Sequence, residues 1–555
     1  MSNSYSIDKI LQNGETDISE FKLRLTEADL KGSRKQSLIA RIKFMTQDDA
    51  EAIYLIGIDD IEGKKWKVHG LSLKELNRSA EILQKLCDEA GVDIIEEVHI
   101  QTEKGIVGKF ILRRRPIEEV GETISINVAG RVNAGKSTLI GTLITQQLDD
   151  GSGKTRTYLL RHPHEIRRGQ TSDIHIAFIA FDKNGNVMPF RNPLDKEECG
   201  RKLDMAAKIV TLFDAPGHAE FSKTMIRSIL GADAQYGMIL IPAPEEAKLA
   251  WTYAERTGIV RLDEISREHM ILMGNQELPM FIVISRIDVA TNKELEFTRS
   301  LVKKTLRDIG KIPLHVSDKK DLDTITKELV HRAIVPIFEV STVSGEGLEL
   351  LTAFISKLKP TIESDISEKP ALAYVDKVYR GIPGTHVVVT GTVYQGIFKD
   401  GQRVLVGPDV SGKYHIGRIA SIEMFKKRVE KVKPGDSFGF DIKGVDSQII
   451  RRGIIIGDPD VEVSPCREFE ANIVVTKHAR RITEGYSPVY HSHTIHQTVE
   501  LVKIYGKDYL TVGDFAQVRI RFIKHPENVY VGDKLVLREA NTRAIGTVKE
   551  IIKKE

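Results

Sequence analysis

The chain has 555 residues, with 81 Lys and Arg against 78 Asp and Glu, a formal net charge of +3. That length exceeds what one hydrophobic core serves and argues for three or four domains. The near-balance of charge neither demands nor excludes nucleic acid, so any RNA contact must come from local basic patches. Hydrophobic residues at 41% and charged residues at 29% fit an ordinary water-soluble protein. No apolar run is long enough to span a bilayer, so no membrane association is expected. The opening MSNSYSIDKILQNGETD lacks an apolar stretch behind a basic start and does not read as a secretory signal. Cys87, Cys199 and Cys466 are few, odd in number and far apart. This argues against a disulfide framework and for a reducing, cytoplasmic setting.

In chain order, residues 1–118 read as a small ββαββ unit of α+β type. SLIARIKFM and EAIYLIGIDD are predicted strands. Ser72-Leu-Lys-Glu75 is a capping box opening a helix with Leu76, Leu83 and Cys87 on one face, which Gly91 ends. VDIIEEVHI and VGKFILRRR are predicted strands. The closing run Arg113, Arg114 and Arg115 reads as a solvated linker or as an RNA phosphate contact.

Residues 119–367 alternate strands and helices, the pattern of a parallel sheet covered on both faces. Thr123–Val128 reads as a buried strand. Gly130 to Ser137 then spell G-x-x-x-x-G-K-S, and an apolar-spaced helix follows. Backbone N–H groups of such a loop and the positive end of the helix cradle a polyphosphate. Lys136 would reach the outer phosphates and Ser137 would hold Mg²⁺. RTYLLRHPHEIRRGQTSDIHIAFIAFD is basic up to Thr171 and then alternates as a strand. It is either a surface loop or a switch segment whose Thr171 joins the Mg²⁺ sphere with a triphosphate. AAKIVTLFDAPGH is a strand ending at Asp214, a carboxylate placed to hold Mg²⁺. Gly217 lets its backbone approach a γ-phosphate, and a helix starts near His218 to Glu220. YGMILIPA is a further buried strand. MFIVISRID is another, ending at Asp288. VPIFEVSTVSGEGLELL gives strand, loop and helix. The loops gather at the C-terminal strand ends, where open α/β sheets bind ligands.

From residue 368 the pattern changes to short strands punctuated by Gly, Pro and Asp. Two all-β barrels are expected, over 368–462 and 463–555, with Pro465 as the marker. In the second, His491, His493 and His496 form H-x-H-x-x-H. On a strand His491 and His493 would share a face, as a metal pair or as a polar barrel face or RNA contact.

GRVNAGKST, RRGQTSD, DAPGH, SRID and STVSG match in order the five nucleotide motifs of translational GTPases. GTHVVVTGTVYQGIFKDGQRVLVG and LTVGDFAQVRIRFIKHP resemble the second and third domains of elongation factor Tu. RHPHEIRRGQTSDI, LVGPDVSGKY and REFEANIVV resemble the GTP-binding protein 1/2 branch, which also carries an N-terminal α+β domain. The expected fold is therefore an α/β phosphate-loop GTPase domain with an N-terminal α+β domain and two C-terminal β-barrels.

The resemblance implies GTP/GDP and Mg²⁺ as cofactors and hydrolysis of GTP to GDP and phosphate. It places Gly130, Val132, Asn133, Ala134, Gly135, Lys136, Ser137 and Thr138 around the phosphates. Ser137 and Thr171 would ligate Mg²⁺ with Asp214 behind them. His218 stands where the family orients the attacking water, beside Gly217. Ser285, Arg286, Asp288, Ser341 and Thr342 would form the base pocket. Asp288 can accept from the N1 and N2 hydrogens of guanine, which adenine lacks. Ser285 replaces the family's Asn, and Arg286 replaces its Lys with a guanidinium that can stack on the base. Asn133 stands where much of the family has an Asp that helps bind a monovalent cation, so such a cation stays open. Gln170 replaces an apolar residue of the gate beside His218, with Val132 supplying one side. The implied function is a cytoplasmic translation factor that binds aminoacyl-tRNA in its GTP state and acts at the ribosome. The alternative is a ribosome rescue or RNA surveillance GTPase carrying a tRNA-mimicking protein adaptor.

Overall fold

The structure is a computed structural model that describes residues 7–47, 50–61, 65–159, 174–215, 229–230, 234–361, 364–382, 384–477, 481–539 and 542–554. The chain divides into two compact units, Met1–Ile117 and Glu118–Glu555.

In the first unit a four-stranded sheet runs in the order Ser19–Lys22, Ala52–Ile56, Gly105–Arg114, Val92–Thr102. The helix Leu73–Ala90 forms where its signals place it. Ser72 accepts from the Glu75 N–H, and Gly91 ends the helix at φ 70°. Leu76, Leu83 and Cys87 are fully buried on its inner face. One element departs from expectation: SLIARIKFM lies within the helix Gly32–Met45, not a strand. Its buried residues are Leu38, Ile42 and Met45, spaced four and three apart. That is a helical stripe, and the short apolar runs within it imitate a strand. The sheet position it leaves is filled by Ser19–Lys22, which pairs parallel to Ala52–Ile56. Arg113 and Arg114 end a strand, and Arg115 bonds to Asp93 at 2.6 Å and Asp88 at 2.5 Å. Arg115 thus ties the end of this unit to Asp88 and Asp93 by ion pairs while its side chain stays exposed.

The second unit opens with a seven-stranded sheet. Its order is Ile312–His315, Ile334–Val340, Met280–Ser285, Tyr236–Pro242, Glu122–Gly130, Lys208–Asp214, His175–Phe181. The first six are parallel, and only the edge strand His175–Phe181 runs antiparallel to its neighbour. The central strands are buried along their whole length, which explains their unbroken apolar runs. The register sets Val128 beside Asp214 and Gly130 beside Leu240. It sets Pro242 beside Ser285 and Ser285 beside Val340. The loops after four strands therefore open on one edge. The strand expected to reach Asp288 stops at Ser285, because Arg286 turns the chain at φ 61°.

Two closed antiparallel barrels follow, each of six strands. The first closes through Arg403–Gly407 pairing with both Ile455–Gly457 and His415–Met424. The second closes through Pro465–Lys477 pairing with both Phe515–Phe522 and Thr542–Lys554. Closure leaves no open edge. Both barrels pack on the α/β sheet layer. Phe425 of the first lies 4.3 Å from Phe178 between ring centroids, and Lys427 bonds Glu197 at 2.6 Å. Val536 of the second joins the core formed by Met270, Met273 and Ile284.

Candidate functional site: a phosphate loop and base pocket at the sheet edge

The strand Glu122–Gly130 delivers the phosphate loop into the helix Lys136–Thr145. Gly130 has φ 151°, and a Cβ there would meet the Leu240 carbonyl oxygen at 2.6 Å. Only glycine lets this loop leave the sheet beside its neighbour. Asn133 at φ 61° and Gly135 at φ 85° curl the loop over the helix N-terminus. Ala134 is buried under the curl.

The Lys136 Nζ donates to the Gly130 carbonyl at 2.9 Å and to the Arg131 carbonyl at 3.1 Å. It is 7% exposed. Burial pulls its pKa down to about 8, against an opposing pull from the Asp214 carboxylate. The loop thus holds a poorly solvated cation against its own carbonyls, ready for a stronger anionic partner. The Ser137 hydroxyl donates to Asp214 Oδ2 at 2.6 Å. A hydroxyl and a carboxylate brought together supply the hard oxygen donors that suit Mg²⁺.

Val132, Asn133, Gly135, Lys136, Ser137 and Thr138 line one side of a pocket of about 280 Å³. Arg286, Asp288 and Thr342 line the other. Four of the sequence-predicted nucleotide residues, Gly130, Ala134, Ser285 and Ser341, stand behind these walls and shape them. Ser285 donates its hydroxyl to the Ala134 carbonyl at 2.7 Å. Ser341, fully buried, accepts from the N–H groups of Val343 at 3.1 Å and Ser344 at 3.0 Å. Gly130 forms the root of the phosphate loop. Arg286 is ion-paired with Glu245, which holds its stem at the pocket rim. Thr171, Gly217 and His218 lie outside the described residues, as does Gln170.

The sequence reading missed a further wall. Residues Asp149 to Arg156 follow the phosphate-loop helix, and Asp149, Gly151, Ser152, Gly153 and Arg156 line the same pocket. The buried Asp149 carboxylate accepts from the N–H groups of Gly151 at 2.9 Å, Gly153 at 3.0 Å and Thr155 at 3.0 Å. The signal was available: an Asp followed two and four residues on by Gly, both in the left-handed region.

The histidine triplet does not form a metal site. His493 sits in a turn at φ 46°, off the strand, so it shares no face with His491. Its ring stacks on Tyr374 of the first barrel at 4.1 Å. His491 and His496 are cross-strand partners. Among the described residues no group of three His, Cys, Asp or Glu side chains is placed to hold a metal ion. Nor is any helix there long and apolar enough to cross a membrane.

A phosphate loop, a carboxylate at the next strand end and a guanine-type base loop, followed by two closed barrels, define a GTP-binding switch protein of elongation factor Tu architecture. Known families agree. Residues 121–361 match the elongation factor Tu GTP binding domain, 386–457 its domain 2, and 462–552 its C-terminal domain. The chain is 30% identical to GTP-binding protein 2 of Mus musculus over 545 residues, covering 96% of this chain and 86% of that protein. It is 31% identical to GTP-binding protein 1 of Xenopus laevis over 551 residues, covering 98% of this chain and 80% of that one. Among solved structures it resembles the bacterial selenocysteine-specific elongation factor EF-Sec, with a TM-score of 0.54 at 21% identity. That match covers 78% of this chain, which spans 59% of the length of that structure. The chain belongs to the GTP-binding protein 1/2 family of elongation factor Tu-like translational GTPases. It binds guanine nucleotide and is a GTPase.

Proposed function

We propose that this GTPase is a translation factor that binds aminoacyl-tRNA in its GTP state and acts at the ribosome in the cytoplasm. The observation that carries this reading is an apolar cavity of about 460 Å³ between the nucleotide domain and the first barrel. Its walls include Ile176, Phe178 and Phe190 on one side and Tyr379, Val388 and Phe438 on the other. A group seated there touches the strand His175–Phe181, which pairs with the strand ending at Asp214. Nucleotide state and cargo would then share one strand pair. An apolar pocket of this size accepts an amino-acid side chain or the tip of a protein adaptor.

In this reading Lys136 and the loop N–H groups bind the β and γ phosphates. Ser137 and Thr171 would hold Mg²⁺ with Asp214 behind them, and the ion would neutralise charge developing on the phosphates. His218 would orient the attacking water. Catalysis of phosphoryl transfer rests on such positioning and charge neutralisation. The four domains would break near residues 118, 367 and 462.

The test is binding of labelled aminoacyl-tRNA and deacylated tRNA to protein loaded with GDP or a non-hydrolysable GTP analogue. Two salt concentrations separate phosphate contacts from the rest. Tight binding only with the GTP analogue and only to aminoacyl-tRNA is expected. Binding indifferent to nucleotide and acylation would sink tRNA delivery and turn the search to a protein adaptor.

A further inference from the structure

The loop Asp149 to Arg156 is held on its course by its own contacts. The Asp149 side chain, 6% exposed, accepts the three N–H groups that fix its course. Thr155 clamps it to the phosphate-loop helix, donating to the Thr138 carbonyl at 3.0 Å. At its other end the Asp149 N–H donates to the Thr342 carbonyl at 2.8 Å, in the base loop. The loop therefore bridges the inner end of the phosphate site, at Thr138, to the base side, at Thr342. Between a base and an inner phosphate lies the sugar.

Gly151 at φ 83° and Gly153 at φ 86° bring bare backbone to the pocket. The Arg156 side chain lies over Gly153: a Cβ on that glycine would meet Arg156 Nε at 2.7 Å. Arg156 lines the third wall of the pocket, its Nη2 donating to the Ser152 carbonyl at 3.3 Å. A guanidinium binds phosphate oxygens in a fixed, two-pronged geometry that a lysine does not reproduce.

We propose that residues 149–156 form an additional nucleotide-binding segment, in which the Gly151–Gly153 backbone faces the ribose and Arg156 binds the α-phosphate of a guanine nucleotide. This rests on the nucleotide occupying the pocket between the phosphate loop and Asp288. Because GDP and GTP share the α-phosphate, the contact tightens both equally and leaves the switch itself unbiased.

The test uses the full chain and calorimetric titration with GDP and a non-hydrolysable GTP analogue. Arg156→Ala is expected to weaken both by the same factor, roughly tenfold or more for a charge-assisted hydrogen bond. Arg156→Lys should recover only part. Gly153→Ala, whose Cβ displaces the guanidinium, should reproduce the loss. GMP should compete better than guanosine with wild type, and Arg156→Ala should shrink that advantage. Unchanged affinities in Arg156→Ala would overturn the proposal. So would a loss confined to the GTP analogue, which places the guanidinium at the terminal phosphate. Wild-type protein that binds neither nucleotide overturns the occupied pocket itself, and this contact with it.

Discussion

Ser285 ties the base loop to the phosphate loop by donating its hydroxyl to the Ala134 carbonyl over 2.7 Å. Both partners are buried. The hydroxyl reaches that carbonyl from the last residue of the strand Met280–Ser285. Ser285→Ala leaves a buried carbonyl without its donor, a cost of about 1–3 kcal/mol. Expected are a faster release of GDP and of a GTP analogue, each about 5- to 100-fold, followed by fluorescence of a labelled nucleotide. Release rates equal to wild type would remove this bond from nucleotide retention.

His269 gives the protein an acid-sensitive core. It is fully buried in the helix Glu264–Asn275, and desolvation, with lesser repulsion from Lys136 and Arg543, pushes its pKa down to about 3. The unfolded imidazole titrates near 6.5. Between those values the unfolded chain binds a proton that the native chain refuses, so stability falls as pH drops below about 6.5. The slope is about 1.4 kcal/mol per pH unit for one group. His269→Gln, which carries no titrating group, should lose less melting temperature than wild type between pH 7 and pH 5. Equal losses would mean that other groups set the acid response.

Much of the site was legible because phosphate chemistry demands particular backbone. Gly130 and Gly135 are needed for φ values that other residues resist, and Lys136 and Ser137 follow at fixed spacing. The strand end at Asp214 was legible from its buried apolar run, since parallel strands are covered on both faces, whereas the strand read as far as Asp288 ends at Ser285, where the left-handed turn at Arg286 left no apolar signal. The helix Gly32–Met45 misread as a strand because its apolar residues cluster in short runs, and only the four-and-three spacing of Leu38, Ile42 and Met45 separates the two. The wall at Asp149 to Arg156 escaped notice for another reason. Its role depends on Thr138 and Thr342 lying at either end, and those contacts exist only once the sheet is assembled.

The two barrels are joined by a buried ion pair. Arg451 of the first donates to Glu527 of the second, Nη1 to Oε1 at 3.1 Å and Nη2 to Oε2 at 2.9 Å. Glu527 is 2% exposed, and burial raises its pKa despite the guanidinium. Arg451→Ala leaves that buried carboxylate without its cation, though still bonded by the Gln497 amide at 2.9 Å, a loss of about 3–5 kcal/mol at most at neutral pH. Without the cation the folded pKa rises further above the unfolded value near 4.3. The carboxyl then takes a proton as pH falls, and the variant's deficit shrinks. Melting curves at pH 7 and pH 5 should show the gap to wild type narrowing. A constant gap would mean that Glu527 stays ionised without its partner.

In the proposed mechanism His218 is expected to separate binding from hydrolysis. It follows Asp214-Ala-Pro-Gly217 in the sequence, a position that suits a group accepting or relaying a hydrogen bond from the attacking water. His218→Ala should lower stimulated GTP turnover by roughly 10²–10⁴-fold and leave GTP affinity near wild type. The comparison is single-turnover hydrolysis against equilibrium binding. Unchanged stimulated turnover would take His218 out of the reaction.

In the proposed reading Asp288 and Arg286 are expected to divide the work of choosing guanine. Both line the pocket, but Arg286 is held by Glu245 and offers its flat guanidinium stem to either purine. Asp288 can accept from the N1 and N2 hydrogens of guanine, and adenine presents no such pair. A site built to pair polar groups rejects the analogue that leaves them unpaired far more strongly than an apolar pocket rejects a poor fit. Asp288→Ala should therefore weaken GTP by about two orders of magnitude or more while barely altering the weak binding of ATP. Arg286→Ala should weaken both nucleotides by a similar, smaller factor, about 2- to 30-fold for a lost stacking contact. Competition of GTP and ATP against a labelled GDP reads both variants. Selectivity that survives Asp288→Ala would move guanine recognition to the backbone of the loop at Ser341 and Thr342.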